Sequence, residues 1–314
     1  MQGNTENLCS ICRRREAFFL RLYSGERLCK RCFIHSIENK VRVTIAKYGM
    51  LDFNDRIAVA VSGGKDSLSL LHILAKIEKE YPKASMVAVS VDEGIKGYRD
   101  EALRLASLSC KKLSVEHHVI SFKELYGYTL DEIVSRLKES GLEGLTPCAY
   151  CGVLRRKALN VIARKVGATK LATAHTLDDE VQTVMLNILH GDVMRIIREK
   201  PITNEAWKFV KRVKPLCEIP EKESALYAYI KGIKFQSMPC PYSSEAMRND
   251  VRIFLNRMEE KHPGIKFTVL RSVERIRQAL EKIEPKIKLR ECASCGEPTT
   301  REICQACHLL QIIK

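Results

Sequence analysis

No stretch of this 314-residue sequence is apolar for long enough to cross a bilayer, and no signal-peptide pattern opens it. An intracellular, cytoplasmic protein without a membrane partner is expected, in a compartment too reducing for disulfides. Acidic charge is scarce: 38 Asp and Glu stand against 53 Lys and Arg, a net charge of +15. The deficit favours a polyanionic partner, nucleic acid first among them, although a merely solvated basic surface would show the same balance. A Walker A loop is missing too, because the glycine pair before Lys65 lacks that motif's longer glycine-to-glycine gap.

What is present is a different phosphate cradle. Ser62-Gly63-Gly64-Lys65-Asp66-Ser67 lies between the apolar run 56–61 and a helical pattern marked by Leu68, Leu70, Leu71, Ile73, Leu74 and Ile77. A glycine pair at a strand-to-helix turn lets the backbone approach an anion. The first helical amides and the helix dipole then favour negative charge, and Lys65, Ser62 and Ser67 add a cation and two hydroxyls. A bare Ser-Gly-Gly also makes ordinary turns; the strand, the full motif and the helix together favour nucleotide. The order resembles the PP-loop of ATP pyrophosphatases, which split ATP into AMP and pyrophosphate.

Ten of the thirteen cysteines fall in five Cys-x-x-Cys pairs, leaving Cys110, Cys217 and Cys240 alone. Cys9 and Cys12 with Cys29 and Cys32, and Cys292 and Cys295 with Cys304 and Cys307, form two four-thiolate sets at the chain ends. Each suits a structural Zn²⁺, with a redox or iron-sulfur role as the alternative. His35 and His308 lie close by, but neither site needs a fifth ligand. Arg13, Arg14, Arg15, Arg21, Lys30 and Arg31 make the first ribbon basic, as phosphate contacts or simple solvation would require. Cys110 sits in an amphipathic helical pattern and is expected in the core. Cys217 has no evident role.

The fifth pair, Cys148 and Cys151, has no second pair to complete it, only the lone Cys240 in Met238-Pro239-Cys240-Pro241-Tyr242. Three readings stay open: a cluster leaving one iron available, a catalytic pair carrying a persulfide, or a third zinc site or buried thiols.

Strands are expected at 56–61, 86–91, 114–121 and 168–174, and helices at about 98–112, 129–139 and 151–166. That alternation predicts a parallel sheet covered on both faces, with ligands beyond the strands' carboxyl ends. Ser62-Gly63-Gly64, Asp92-Glu93 and His175-Thr176-Leu177-Asp178-Asp179 should meet there. Of Asp178 and Asp179, one suits a helix cap and the other could hold Mg²⁺ or orient ATP and the target base. Residues 243–284 are expected to be helical and basic, with Arg248, Arg252 and Arg257 on a nucleic acid backbone or facing water.

Ser62 to Ser67, then Pro147-Cys148-Ala149-Tyr150-Cys151-Gly152-Val153-Leu154-Arg155-Arg156, then Ala174 to Glu180, then Cys240-Pro241-Tyr242-Ser243 resemble, in that order, the TtcA/TtuA family of tRNA thiolases. The paired terminal ribbons, His262 to Lys266, Leu270-Arg271-Ser272 and Gly296 to Thr299 resemble its TtuA branch, which includes archaeal and eukaryotic wobble-uridine thiolases. The resemblance covers nearly the whole chain. It implies an α/β parallel-sheet PP-loop ATP pyrophosphatase domain, of the adenine nucleotide alpha hydrolase-like kind, with N- and C-terminal zinc ribbons. The divisions are 1–40 (first ribbon), 41–240 (catalytic), 241–287 (helical basic extension) and 288–314 (second ribbon).

The activity it implies is uridine 2-thiolation: ATP adenylates the C2 oxygen, and sulfur then displaces AMP. Cys148, Cys151 and Cys240 would hold a 4Fe-4S cluster. Ala60, Ser62, Gly63, Gly64, Lys65, Asp66 and Ser67 would cradle ATP, with Val89 or a neighbour and Ala174 near adenine. Arg155 and Asp179 fall at catalytic positions. Partners would be tRNA, a ubiquitin-like sulfur carrier with a C-terminal thiocarboxylate or free sulfide, and a second copy in a homodimer. Some relatives carry lysine at position 155. Arginine keeps the charge but stays protonated, so a proton-transfer role does not carry over. Thr176 stands where asparagine is commoner. The alternatives are a PP-loop ligase without sulfur chemistry, which would not need the inner cysteines, and a zinc-ribbon RNA adaptor, which would not need an intact cradle.

Overall fold

The computed structural model describes residues 7–139, 146–202, 208–242, 247–280 and 289–313. The chain opens with a hairpin, β1 (Phe19–Arg21) and β2 (Glu26–Leu28), turned at Gly25, whose φ of 70° is left-handed. Cys29 then caps α1 (Lys30–Tyr48), so Cys32 lies in its first turn. This helix runs unbroken across the boundary expected at 40. There follow β3 (Arg56–Ala60), α2 (Lys65–Glu78), β4 (Ser85–Asp92), α3 (Arg99–Leu113), β5 (Glu116–Ser121), α4 (Phe122–Tyr126) and α5 (Leu130–Glu139). After these come α6 (Pro147–Lys165), β6 (Lys170–Ala172), α7 (Leu177–Leu189), α8 (Val193–Arg198), β7 (Lys211–Val213) and α9 (Glu221–Ile230). The chain ends with α10 (Met247–Lys261), α11 (Ile265–Leu280), β8 (Arg290–Glu291), β9 (Pro298–Thr299) and α12 (Gln305–Ile312).

Five parallel strands order as β5-β4-β3-β6-β7. Side chains alternate across the sheet: Ile57, Val59, Val61 and Ala88 enter one core, and Ala58, Val87, Val89 and Val91 the other. The first core takes in α1, α2, α9 and the N-terminal ribbon. The second takes in α5, α6 and the C-terminal ribbon. Each ribbon thus continues one face of the same sheet.

Three expectations need correction. Strand β7 was not anticipated, because Lys211-Arg212-Val213 is short and charged. Helix α6 begins at Pro147, not 151, because Thr146 caps it and Pro147 occupies the first turn. This places Cys148 and Cys151 inside the helix. Arg21 is no phosphate contact: it is 1% exposed, forked onto Glu223 of α9 at 3.1 and 2.8 Å, and bonded to Glu26 and Ser36. It anchors the ribbon, while Arg13, Arg14, Arg15, Lys30 and Arg31 remain exposed. Cys110 is a core thiol, as its helical pattern suggested, and burial pushes its pKa up to about 11.

The helical stretch expected over 243–284 is made of two helices, α10 and α11, separated at Pro263-Gly264; residues 243–246 and 281–284 lie outside the described residues. Both pack on α7 through Leu177, Val181, Val251, Leu255 and Leu270. Arg248 reaches Thr183 of α7 at 3.1 Å, so its guanidinium is engaged within the protein, whereas Arg252 and Arg257 are exposed.

Candidate active site

The cradle sits at the carboxyl end of β3, beside that of β6, where strand order reverses. Gly64 is the N-cap of α2 and supplies no capping side chain, which leaves the helix N-terminus suited to an anion. Ser67 holds the loop from inside: its hydroxyl donates to Gly64 O (3.0 Å), accepts from Ser62 N–H (3.1 Å) and lies 3.0 Å from Ser62 Oγ. Lys65 is held by Asp66 (2.9 Å) and Glu221 (2.6 Å). Burial raises the Asp66 pKa and Lys65 opposes it. Ala60 and Ala174 are partly accessible at the strand ends. Val89 is fully covered and spends its carbonyl on Val61 N–H (2.8 Å).

Gly63 has φ 86°, and a Cβ there would stand 2.3 Å from Ala102 O of α3. Gly63→Ala combines a left-handed penalty of about 1–2 kcal/mol with about 1–3 kcal/mol of overpacking. It should lower the thermal midpoint and weaken ATP binding together; thermal unfolding with and without ATP measures both.

A buried arginine that the motifs did not reveal joins the cradle to the cysteines. Arg99 donates to Ser62 O (2.6 Å) and to Val91 O (2.9 and 2.6 Å), and pairs with Glu93 Oε2 at 2.8 Å. The other oxygen of Glu93 faces Arg155 Nη1 at 3.6 Å. Arg155 in turn interacts electrostatically with Cys151 and Cys240. The only sequence signal for Arg99 is position, at the start of the expected helix after Asp92-Glu93.

Cys148, Cys151 and Cys240 share this neighbourhood, and the Cys148 thiol meets Tyr242 O at 3.1 Å. Their sulfurs do not gather as tightly as a single-ion site: among the described residues only the two terminal sets bring their ligand atoms within 4.8 Å of one another. That spacing disfavours a third zinc. Burial pushes Cys151 up to about 11 despite Arg155, and raises Cys240 as well. Burial thus opposes the thiolate form at both positions until a metal displaces the proton.

The two acids at the start of α7 do different work. Asp179 closes a capping box: its Oδ2 accepts from Thr176 N–H (2.9 Å) and Thr176 Oγ1–H (2.8 Å). It remains partly exposed toward the crevice. Asp178 is buried, with Oδ1 on Lys266 Nζ and Oδ2 on Glu221 N–H. With both oxygens engaged, Asp178 is not placed to hold Mg²⁺.

The terminal sets fit a tetrahedral ion. Sulfurs about 2.3 Å from a common centre are separated by about 3.8 Å. Cys12 and Cys29 are 3.9 Å apart, and Cys295 and Cys304 3.7 Å. His35 and His308 are exposed and belong to neither set. Elsewhere, hollows of about 660 and 600 Å³ flank edge strand β5 and share no residue with the crevice.

A family model for the PP-loop domain matches residues 34–259. A probable sulfurtransferase of Methanocaldococcus jannaschii is 40% identical over 299 residues, spanning 95% of this chain and 86% of its own. The cytoplasmic tRNA 2-thiolation protein 1 of Chlamydomonas reinhardtii is 38% identical over 305 residues, 97% of this chain and 84% of that one. Among solved structures, the U34-tRNA thiolase NcsA from Methanococcus maripaludis with its 4Fe-4S cluster is similar at a TM-score of 0.84 and 34% identity. That match covers 98% of this chain and 96% of the other. No described helix is long and apolar enough to cross a membrane.

Proposed function

The chain belongs to the tRNA 2-thiolation family of PP-loop proteins, and from that premise we propose that it is an ATP-dependent tRNA uridine 2-sulfurtransferase acting on uridine 34 in the cytoplasm. One observation carries the reading: Arg99 and Glu93 connect the phosphate cradle to Arg155, whose charge acts on the inner cysteines Cys151 and Cys240. Activation and sulfur delivery therefore share one crevice.

ATP lies with its phosphates on the amides of α2 and the hydroxyls of Ser62 and Ser67, its charge met by Lys65 and Mg²⁺. The uridine C2 oxygen attacks the α-phosphorus and pyrophosphate leaves. The C2–O bond then breaks as sulfur adds, and AMP departs with that oxygen. Adenylation is needed because a urea-type oxygen is a poor leaving group. Arg155 stabilises the negative charge that develops near C2, and Asp179 orients the uridine. Cys148, Cys151 and Cys240 would hold a 4Fe-4S cluster, which with three protein ligands would supply an iron able to take a sulfur ligand. The sulfur comes from sulfide or from a ubiquitin-like thiocarboxylate carrier, the terminal sets hold Zn²⁺, and the enzyme works as a homodimer.

The test is anaerobic incubation of the reconstituted protein with ATP, sulfide and unmodified tRNA, followed by nucleoside mass spectrometry. ATP-dependent 2-thiouridine is expected, together with AMP. Asp179→Ala should lower the yield rate about 10²-fold, the scale of losing one transition-state contact. Full activity in that variant would remove Asp179 from the mechanism.

A further inference from the structure

Lys157 lies on α6, six positions beyond Cys151, yet its ammonium is turned away from the crevice. Its Nζ stands 3.1 Å from Cys295 Sγ, 3.8 Å from Cys307 Sγ and 4.0 Å from Cys304 Sγ. These three sulfurs form one face of the C-terminal tetrahedron, and the ammonium sits over that face. The fourth sulfur, on buried Cys292, is met from the other side by Cys304 N–H at 3.2 Å. Cys295 is the exposed member of the set, so Lys157 covers the side on which water would reach the ion. The Lys157 side chain also lies over the Tyr126 ring, 5.8 Å from its centroid.

Four thiolates around a divalent ion leave two negative charges in formal excess. A cation donating to the sulfurs offsets one of them and fixes the orientation of the ligands. We propose that Lys157 is the outer-sphere partner of the C-terminal metal site, and that this contact docks the ribbon onto the helix carrying Cys148 and Cys151. Arg164, two turns further along α6, repeats the attachment by pairing with Glu297. The ribbon is therefore a buttress for α6 as well as a peripheral module. The inference rests on zinc occupying the terminal sets and is independent of the thiolation chemistry.

The full chain is purified with zinc and challenged with excess 4-(2-pyridylazo)resorcinol, and zinc release is followed by absorbance. Two equivalents per chain are expected, one from each set. In Lys157→Met, one equivalent should leave about 10- to 100-fold faster, the range for loss of an outer-sphere partner. The other should be unchanged, because all three of Lys157's sulfur contacts are to the C-terminal set. Lys157→Arg, which keeps the charge, should release both at nearly the wild-type rates. Release of both equivalents from Lys157→Met at wild-type rates overturns the proposal. A wild-type chain that binds no zinc instead overturns the zinc reading beneath it.

If Lys157→Met folds poorly, Lys157→Leu, which also has no donor, and cobalt spectroscopy decide. Loss of the N–H···S bond makes the thiolates better donors, so the sulfur-to-cobalt charge-transfer band should move to lower energy. An unshifted band also overturns the proposal.

Discussion

Cys148→Ala, Cys151→Ala and Cys240→Ala should each retain ATP while losing 2-thiouridine formation by about 10³-fold or more, the scale of removing one member of a group that acts as a unit. The separation follows from the geometry. The cradle is organised by its own loop and by Arg99: Ser67 bonds Ser62 and Gly64, and Arg99 donates to Ser62 O. The three thiols lie beyond Glu93 and Arg155, on the first two turns of α6 and on the segment after α9. Anaerobic reconstitution with iron and sulfide, read by visible absorbance and iron content, should show cluster formation in the wild type and its loss in each variant. A cluster that forms fully in all three variants would assign it to other ligands.

Lys266→Met should cost about 3–5 kcal/mol of stability, as breaking one partner of a buried ion pair does. Lys266 and Asp178 are each 6% exposed. The ammonium also holds Asn256 Oδ1 at 2.6 Å, and Asp178 accepts from Glu221 N–H at 2.7 Å. Removing the cation leaves the Asp178 carboxylate buried without its charge partner, next to Asp179 and one residue contact from the Glu221–Lys65 pair. ATP affinity should fall together with stability, because Glu221 steadies the cradle lysine. The double variant Lys266→Met with Asp178→Leu should recover much of the stability, since it removes the orphaned charge. Denaturant unfolding of the four members of the cycle measures the coupling. Additive losses would mean that the pair is not coupled.

Much of the architecture was legible because it is written in short-range pattern. The β-branched runs and the helical period following Ser62–Ser67 predicted four of the five sheet strands, and the Cys-x-x-Cys spacing announced the two tight sulfur clusters. Strand β7 escaped notice because three residues, two of them charged, carry no alternation; it forms because β6 offers an unpaired edge. Periodicity alone hides the start of α6, because Cys148-Ala149-Tyr150 repeats weakly; Thr146 and Pro147 are its cap and first-turn signals. Arg21 was grouped with the exposed arginines around it, since a one-dimensional cluster of positive charge cannot show that Glu223, 202 positions away, takes one member into the core.

The sequence by itself determined the chemistry on offer: an anion-binding loop at a strand end, eight thiols in two ion-sized sets, and three further thiols for another purpose. Each depends on residue type and spacing within a few positions, and local backbone geometry enforces it. Only the tertiary structure decided how these parts divide their roles. Asp178 became a buried counter-ion and Asp179 the crevice-facing cap because Lys266 packs from a helix 88 positions away. Glu93 became the bridge between cradle and cysteines because Arg99 and Arg155 reach it from two different helices. Lys157 left the active-site face for a thiolate cluster because the chain's last segment folds back against α6. A buried charge takes whichever partner the packing supplies, since leaving it unpaired costs more than most local preferences can return.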